Sequence, residues 1–146
     1  MRFLLMSLLT LLMACNSGAQ DANEASVNMF EKGLAQTNIQ LLDVRTASEF
    51  RSGHLKGALQ ANWNDEKEFT ERTASLDKEK TVYIYCLSGG RSRAAAEKLR
   101  TEGYKVIELA GGINAWKRSN KPVEGASNEK QMTMADYQQQ IIGKEY

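Results

Sequence analysis

The stretch Tyr83-Ile84-Tyr85-Cys86-Leu87-Ser88-Gly89-Gly90-Arg91-Ser92-Arg93 places a thiol directly after a strand-forming run and just before a run of helix formers. Two of the four residues between Cys86 and Arg91 are glycines, so the connecting loop can use backbone angles closed to other residues and curl with its amides inward. A helix starting beyond the loop adds its positive end, and Arg91 adds a full charge. An ordinary thiol titrates near 8.5 and is only about 3 % ionised at neutral pH, whereas helix ends and cations lower that value by roughly two units. Two units amount to about 2.7 kcal/mol in favour of the thiolate. The expected chemistry is nucleophilic: an anion cradle with a thiolate, or a persulfide, at its floor. The plainer alternative is a buried cysteine filling space at a strand end, with the glycines making an ordinary turn.

Such a loop needs elements that hold it. Thr81–Tyr85 is β-branched and aromatic throughout and reads as a strand. Ser92–Glu102 is rich in Ala, Lys, Glu, Arg and Leu and reads as a helix, with Gly103 as its stop. Upstream, Ile39–Val44 is a near-continuous apolar run, the pattern of a buried strand. Thr46-Ala47-Ser48-Glu49 fits a capping box, opening a short helix through Phe50 that ends at Gly53. Ala58–Ala61 reads as a second short strand, and 64–75 as a polar helix with Phe69 and Leu76 turned inward. Ser26 caps a helix through Val27, Met29, Phe30, Leu34 and Ala35. Downstream come a strand over Tyr104–Leu109, then Gly111-Gly112, a short helix to Trp116, and Pro122. Strands alternating with helices predict an α/β fold: a parallel sheet covered by helices on both faces. Ligands bind such sheets beyond the carboxyl ends of the strands, which is where Cys86 stands.

The 146 residues, net charge of +1 and 42 % hydrophobic content suit one globular domain. The near-neutral balance makes no case for nucleic-acid binding. His54 is the single histidine, and together with one available cysteine it cannot build a metal site, so neither a metal nor a cofactor is expected. His54 itself, inside Gly53-His54-Leu55-Lys56-Gly57, reads as structural and not as a catalytic base. Trp63 and Trp116 read as core or rim residues. Arg91, Arg93 and Arg100 read as a solvated helix face, with Arg91 alone a site candidate.

The chain starts with one positive charge in Met1-Arg2 and an apolar run to Ala14, the pattern of a signal peptide over 1–14. That run is too short to span a membrane, which takes about 20 apolar residues. Leu12-Met13-Ala14-Cys15 resembles a bacterial lipoprotein cleavage box. This predicts lipidation at Cys15 and a membrane-anchored protein facing the periplasm or the cell exterior. Residues 15–26 are small and polar, as a tether is. A folded domain over 27–123 follows, and then a tail over 124–146. Within the tail, residues 133–142 read as an amphipathic helix with Met134, Tyr137 and Ile141 on one side, a face that a protein partner could use. With Cys15 lipidated, Cys86 is the mature chain's single thiol and marks a reactive site.

The run from Tyr85 to Ser92 resembles the active-site loop of the rhodanese-like domains, with four residues between cysteine and arginine. Leu41-Leu42-Asp43-Val44-Arg45, Glu49-Phe50 and Gly53-His54-Leu55-Lys56-Gly57-Ala58 resemble that family's first block. Gly111-Gly112-Ile113-Asn114-Ala115-Trp116 and Pro122 resemble its closing block, so the similarity spans roughly 27–123. The resemblance implies a five-stranded parallel sheet flanked by helices, and sulfane-sulfur transfer from a small donor, thiosulfate or a persulfide, through a Cys86 persulfide to cyanide or a thiol. It further implies that amides of Leu87, Ser88, Gly89, Gly90, Arg91 and Ser92 stabilise the negative sulfur, and that Arg91 binds the donor's oxyanion or orients the loop. Asp43 and Arg45 are implied to form a supporting ion pair. Leu87 departs from the positive residue that many thiosulfate-using members carry, which argues against thiosulfate as a good substrate. Two alternatives stand beside this reading: a non-catalytic or redox-sensing binding module, and a phosphatase or arsenate reductase. The latter enzymes use a loop one residue longer, preceded by histidine.

Overall fold

The structure, a computed structural model, describes residues 23–125. The leader 1–14, Cys15 and the amphipathic segment 133–142 lie outside the described residues. Five strands, β1 (Glu24–Ala25), β2 (Ile39–Asp43), β3 (Leu59–Gln60), β4 (Thr81–Tyr85) and β5 (Val106–Leu109), form one sheet in the order β1-β5-β4-β2-β3, every neighbouring pair parallel. The most strand-prone segment, β4, therefore takes the centre, where both of its faces are covered.

Side-chain alternation divides the sheet into two cores. Leu42, Val82 and Ile84 point to one face and pack with Phe69, Ala95, Ala96 and Leu99 from α3 (Glu66–Thr73) and α4 (Gly90–Thr101). Leu41, Tyr83 and Tyr85 point to the other face and meet Phe30, Ile113 and Trp116 from α1 (Val27–Leu34) and α5 (Gly112–Arg118). A Cβ at Gly33 of α1 would run into the ring of Tyr83, so glycine there lets the helix lie close to the sheet.

The capping residues act as their types suggest. Ser26 caps α1, and Thr46 with Glu49 forms a reciprocal capping box on α2 (Ala47–Arg51). His54 is structural: its ring stacks on Phe50 at 3.7 Å, its Nδ1 meets the Phe50 carbonyl at 2.9 Å, and its backbone pairs with Glu124. Trp116 is buried with its Nε1 donating to the Pro122 carbonyl, and Trp63 packs edge-on against Phe69.

Three expectations need correction. The segment read as a tether supplies β1, because Glu24 and Ala25 pair through main-chain groups that composition does not reveal; Ala25, for instance, accepts from the Ala110 amide at 2.9 Å. The helix after the cysteine begins at Gly90 and not at Ser92, because Gly89, at φ +114°, already turns the chain into it. Arg100 is not a solvated residue. It is half-buried and donates to Glu108 at 2.9 Å and to the Val106 carbonyl at 3.1 Å, tying α4 to β5.

Candidate active site

Parallel strands bring their carboxyl ends to one edge, and the predicted site residues gather there. Asp43 ends β2 directly opposite Tyr85, the last residue of β4, and Cys86 is the next residue. Cys86 is only 1 % exposed, so its sulfur lies at the bottom of the loop that follows.

No side chain caps α4 at Gly89. The first amides of a helix must find acceptors outside it, and here the Cys86 sulfur supplies one. The Gly89 amide donates to Sγ at 3.1 Å. The Ser92 hydroxyl lies 3.5 Å from Sγ and 3.0 Å from the Gly89 carbonyl, sharing its one proton between them. Burial alone would push the thiol pKa up. Hydrogen bonds from the Ser92 hydroxyl and from the Ser92, Gly89 and Ser88 amides outweigh it, and the net shift is downward. The thiol therefore ionises more readily than a free one, and it does so through oriented hydrogen bonds.

Arg91 is implied by the resemblance either to bind the donor's oxyanion or to orient the loop, and its contacts are of the second kind. Its Nη1 and Nη2 form a two-pronged bridge to Glu49, at 2.8 and 2.7 Å. Glu49 also accepts from the Thr46 amide at 3.1 Å and the Thr46 hydroxyl at 2.9 Å. The Arg91 hydrogen bonds, ahead of those from Thr46, hold its carboxyl down at about 2 against the cost of burial. Glu49 in turn raises Arg91, with the Cys86 thiolate a smaller contributor.

The remaining cradle residues divide by role. Ser88 and Gly89 turn amides to the sulfur, and Gly90 opens α4. Leu87 presents its side chain to solvent, 41 % exposed. What keeps the Cys86 and Leu87 carbonyls out of the cradle is α5: the Ile113 amide donates to the Cys86 carbonyl at 2.9 Å and the Asn114 amide to the Leu87 carbonyl at 3.1 Å. This approach requires Gly112, at φ +58°, where an added Cβ would stand 2.6 Å from the Cys86 carbonyl oxygen. The pair Gly111-Gly112 was visible in the sequence, but nothing local showed which backbone it meets.

Asp43 and Arg45 form the expected ion pair, both fully buried. The Arg45 Nε donates at 2.9 and 3.0 Å and Nη2 at 2.6 Å to the Asp43 carboxylate, which also accepts the Arg45 amide at 3.0 Å. Nη2 reaches the Gly53 carbonyl at 2.8 Å, and the guanidinium lies 5.6 Å from the centre of the Tyr85 ring. The Tyr85 hydroxyl accepts the Leu55 amide at 3.0 Å; its pKa is pushed up, by burial first and the Asp43 charge second, so it stays neutral. The pair thus fixes the residue immediately before the nucleophile. It cannot lend charge to the loop. Among the described residues no cluster of metal-ligating side chains is present.

The family model described as "Rhodanese-like domain" matches residues 26–119. A protein named "Sulfurtransferase" from Allochromatium vinosum is 36 % identical over 103 residues, covering 69 % of this chain and 94 % of that one. "Thiosulfate sulfurtransferase GlpE" from Coxiella burnetii is 32 % identical, covering 65 % and 87 %. The solution structure of the rhodanese-like domain of the Anabaena protein Alr3790 superposes with a TM-score of 0.64 at 26 % identity, covering 74 % of this chain and 83 % of that one. With the family model matching residues 26–119 and named sulfurtransferases among its relatives, the chain belongs to the rhodanese-like domain family.

Proposed function

We propose that this protein transfers sulfane sulfur through a Cys86 persulfide. The observation that carries this reading is the Cys86 sulfur itself, serving as the acceptor for the first amides of α4 and held below its ordinary pKa. The same amides would receive the terminal sulfur of a persulfide, which bears the charge one bond further out. With a thiosulfate-type donor, the thiolate attacks the outer sulfur, the donor's sulfur–sulfur bond breaks, and sulfite departs with the bonding electrons. A thiolate or cyanide then attacks the terminal sulfur of the persulfide, and the Cys86 thiolate leaves. No outside oxidant or reductant is needed, because each step is a displacement at sulfur. Phosphate hydrolysis fits less well: the loop is short, Tyr85 precedes the cysteine, and Arg91 is committed to Glu49.

The test is to incubate the protein with thiosulfate or an organic persulfide and weigh it intact. A gain of one sulfur, removed by cyanide and blocked by prior alkylation of Cys86, is the expected result; no gain from any sulfane donor would sink the reading. Alkylation rates supply the pH arm. A lowered pKa keeps the thiolate populated to lower pH, so the half-maximal rate should fall below that of a small free thiol. A half-point at or above that thiol's would contradict the cradle's proposed effect.

The reading extends to export and lipid anchoring, which rest on the Met1–Cys15 pattern alone. In a bacterial host the protein should sediment with membranes, and Cys15→Ser should release it. A wild-type protein found wholly in the soluble fraction would contradict the anchor.

A further inference from the structure

The cradle contains one cation, and the structure shows it already engaged. From Cys86 to Ser92 the sole charged side chain is Arg91, and both of its terminal nitrogens lie on the two oxygens of Glu49. Arg45, the other guanidinium at this edge, is buried on Asp43. Arg93 and Arg118, on the neighbouring helices, are exposed, where water and salt screen them. At the loop's outer edge stands Leu87, apolar and 41 % exposed.

A thiolate nucleophile meets its donors with this charge arrangement. Thiosulfate brings two negative charges toward one, and their repulsion is largest where the site excludes water. An organic persulfide with an uncharged skeleton brings at most one charge, on the sulfur to be transferred, and its carbon skeleton can lie against an apolar side chain. Neutral amides stabilise a single sulfur anion, whereas a dianion approaching a thiolate gains far more from a free cation.

We propose that the Glu49–Arg91 pair sets donor choice: by occupying the loop's cation it turns the Cys86 site away from thiosulfate and toward organic persulfides. This rests on the sulfur-transfer reading above and names its donor class. In the favoured step the Cys86 thiolate attacks the terminal sulfur of RSSH. The new bond joins Sγ to that sulfur, the old sulfur–sulfur bond breaks, and RS⁻ leaves with its electron pair. The sulfane proton passes to RS⁻, giving RSH and the Cys86 persulfide anion. Glu49 touches no reacting atom; it is a positioning residue that acts through Arg91.

The experiment measures the rate of Cys86 persulfide formation, by intact mass, from thiosulfate and from 2-hydroxyethyl persulfide, whose skeleton is uncharged. Wild type should load faster from 2-hydroxyethyl persulfide. Glu49→Gln keeps an oxygen for Thr46 but frees Arg91, and should raise the thiosulfate-to-persulfide rate ratio about tenfold. That gain should shrink as salt is added, which a merely structural role for Glu49 would not produce. If Glu49→Gln fails to fold, Leu87→Lys supplies a free cation without touching the pair and should raise the same ratio. A wild type that loads faster from thiosulfate, or a ratio unchanged in the folded variant, overturns the inference. If neither donor loads the wild type, the sulfur-transfer reading falls first, and donor choice with it.

Discussion

Gly112→Ala should cost about 3 kcal/mol of stability and slow sulfur transfer on the order of 100-fold. The stability loss has two sources. At φ +58° a side chain is disfavoured by about 1–2 kcal/mol. The new methyl would also stand 2.6 Å from the Cys86 carbonyl oxygen and 2.7 Å from the Leu87 carbonyl carbon, all of it backbone that must move. Overpacking of this kind costs about 1–3 kcal/mol. The kinetic loss follows from which backbone moves. Pushing α5 away weakens the bonds from Ile113 and Asn114 that hold the Cys86 and Leu87 carbonyls outward. The loop can then rotate its amides off the sulfur, and a misplacement of about 1 Å at a reacting group is enough for roughly a 100-fold loss. In a domain of this size the melting temperature should drop by at least about 12 °C. A folded Gly112→Ala protein that transfers sulfur within about threefold of wild type would show that α5 does not shape the cradle.

Asp43→Ala should be the more damaging change to stability, at about 3–5 kcal/mol, because it strands the Arg45 guanidinium in the interior. Asp43 satisfies the Arg45 amide, Nε and Nη2 together, and without it only the Gly53 carbonyl remains to Nη2. A loss of that size approaches the total stability of many domains. Adding Arg45→Met removes the stranded charge and should recover part of the loss, since an apolar side chain of similar volume suits a dry site. Urea midpoints of the three proteins settle it. A loss under about 1 kcal/mol in the single variant, or no recovery in the double, would mean the pair carries little of the fold.

The elements that frame the site were legible because their causes are local. A near-continuous apolar run marked β2, β-branched and aromatic residues marked β4, the Thr46–Glu49 spacing announced the capping box, and the switch from β-branched residues to alanine and arginine after Cys86 located the loop. The nucleophile followed from those, since a strand, a glycine turn and a helix leave little freedom about where the intervening side chain goes. The ion pair of Asp43 with Arg45 also joins near neighbours in sequence, two positions apart. It came from a family resemblance, and its depth in the core did not show in the residues.

What the chain order concealed depends on approach over long separations. The strand at Glu24 and Ala25 is made by main-chain groups finding β5, with side chains that look like a tether. Gly112 matters because of the carbonyls it lies against, and those belong to a different strand end. Arg91 offers the sharpest case. Its position advertised a cation aimed at the sulfur, yet it bridges to Glu49, 42 residues away, and the thiolate is held by hydrogen bonds instead. Residue type and spacing determine which groups are available at the carboxyl edge of the sheet. How their charges cancel there is decided by packing, because a neutralised cation and a free one are the same letter in a sequence and opposite forces on a substrate.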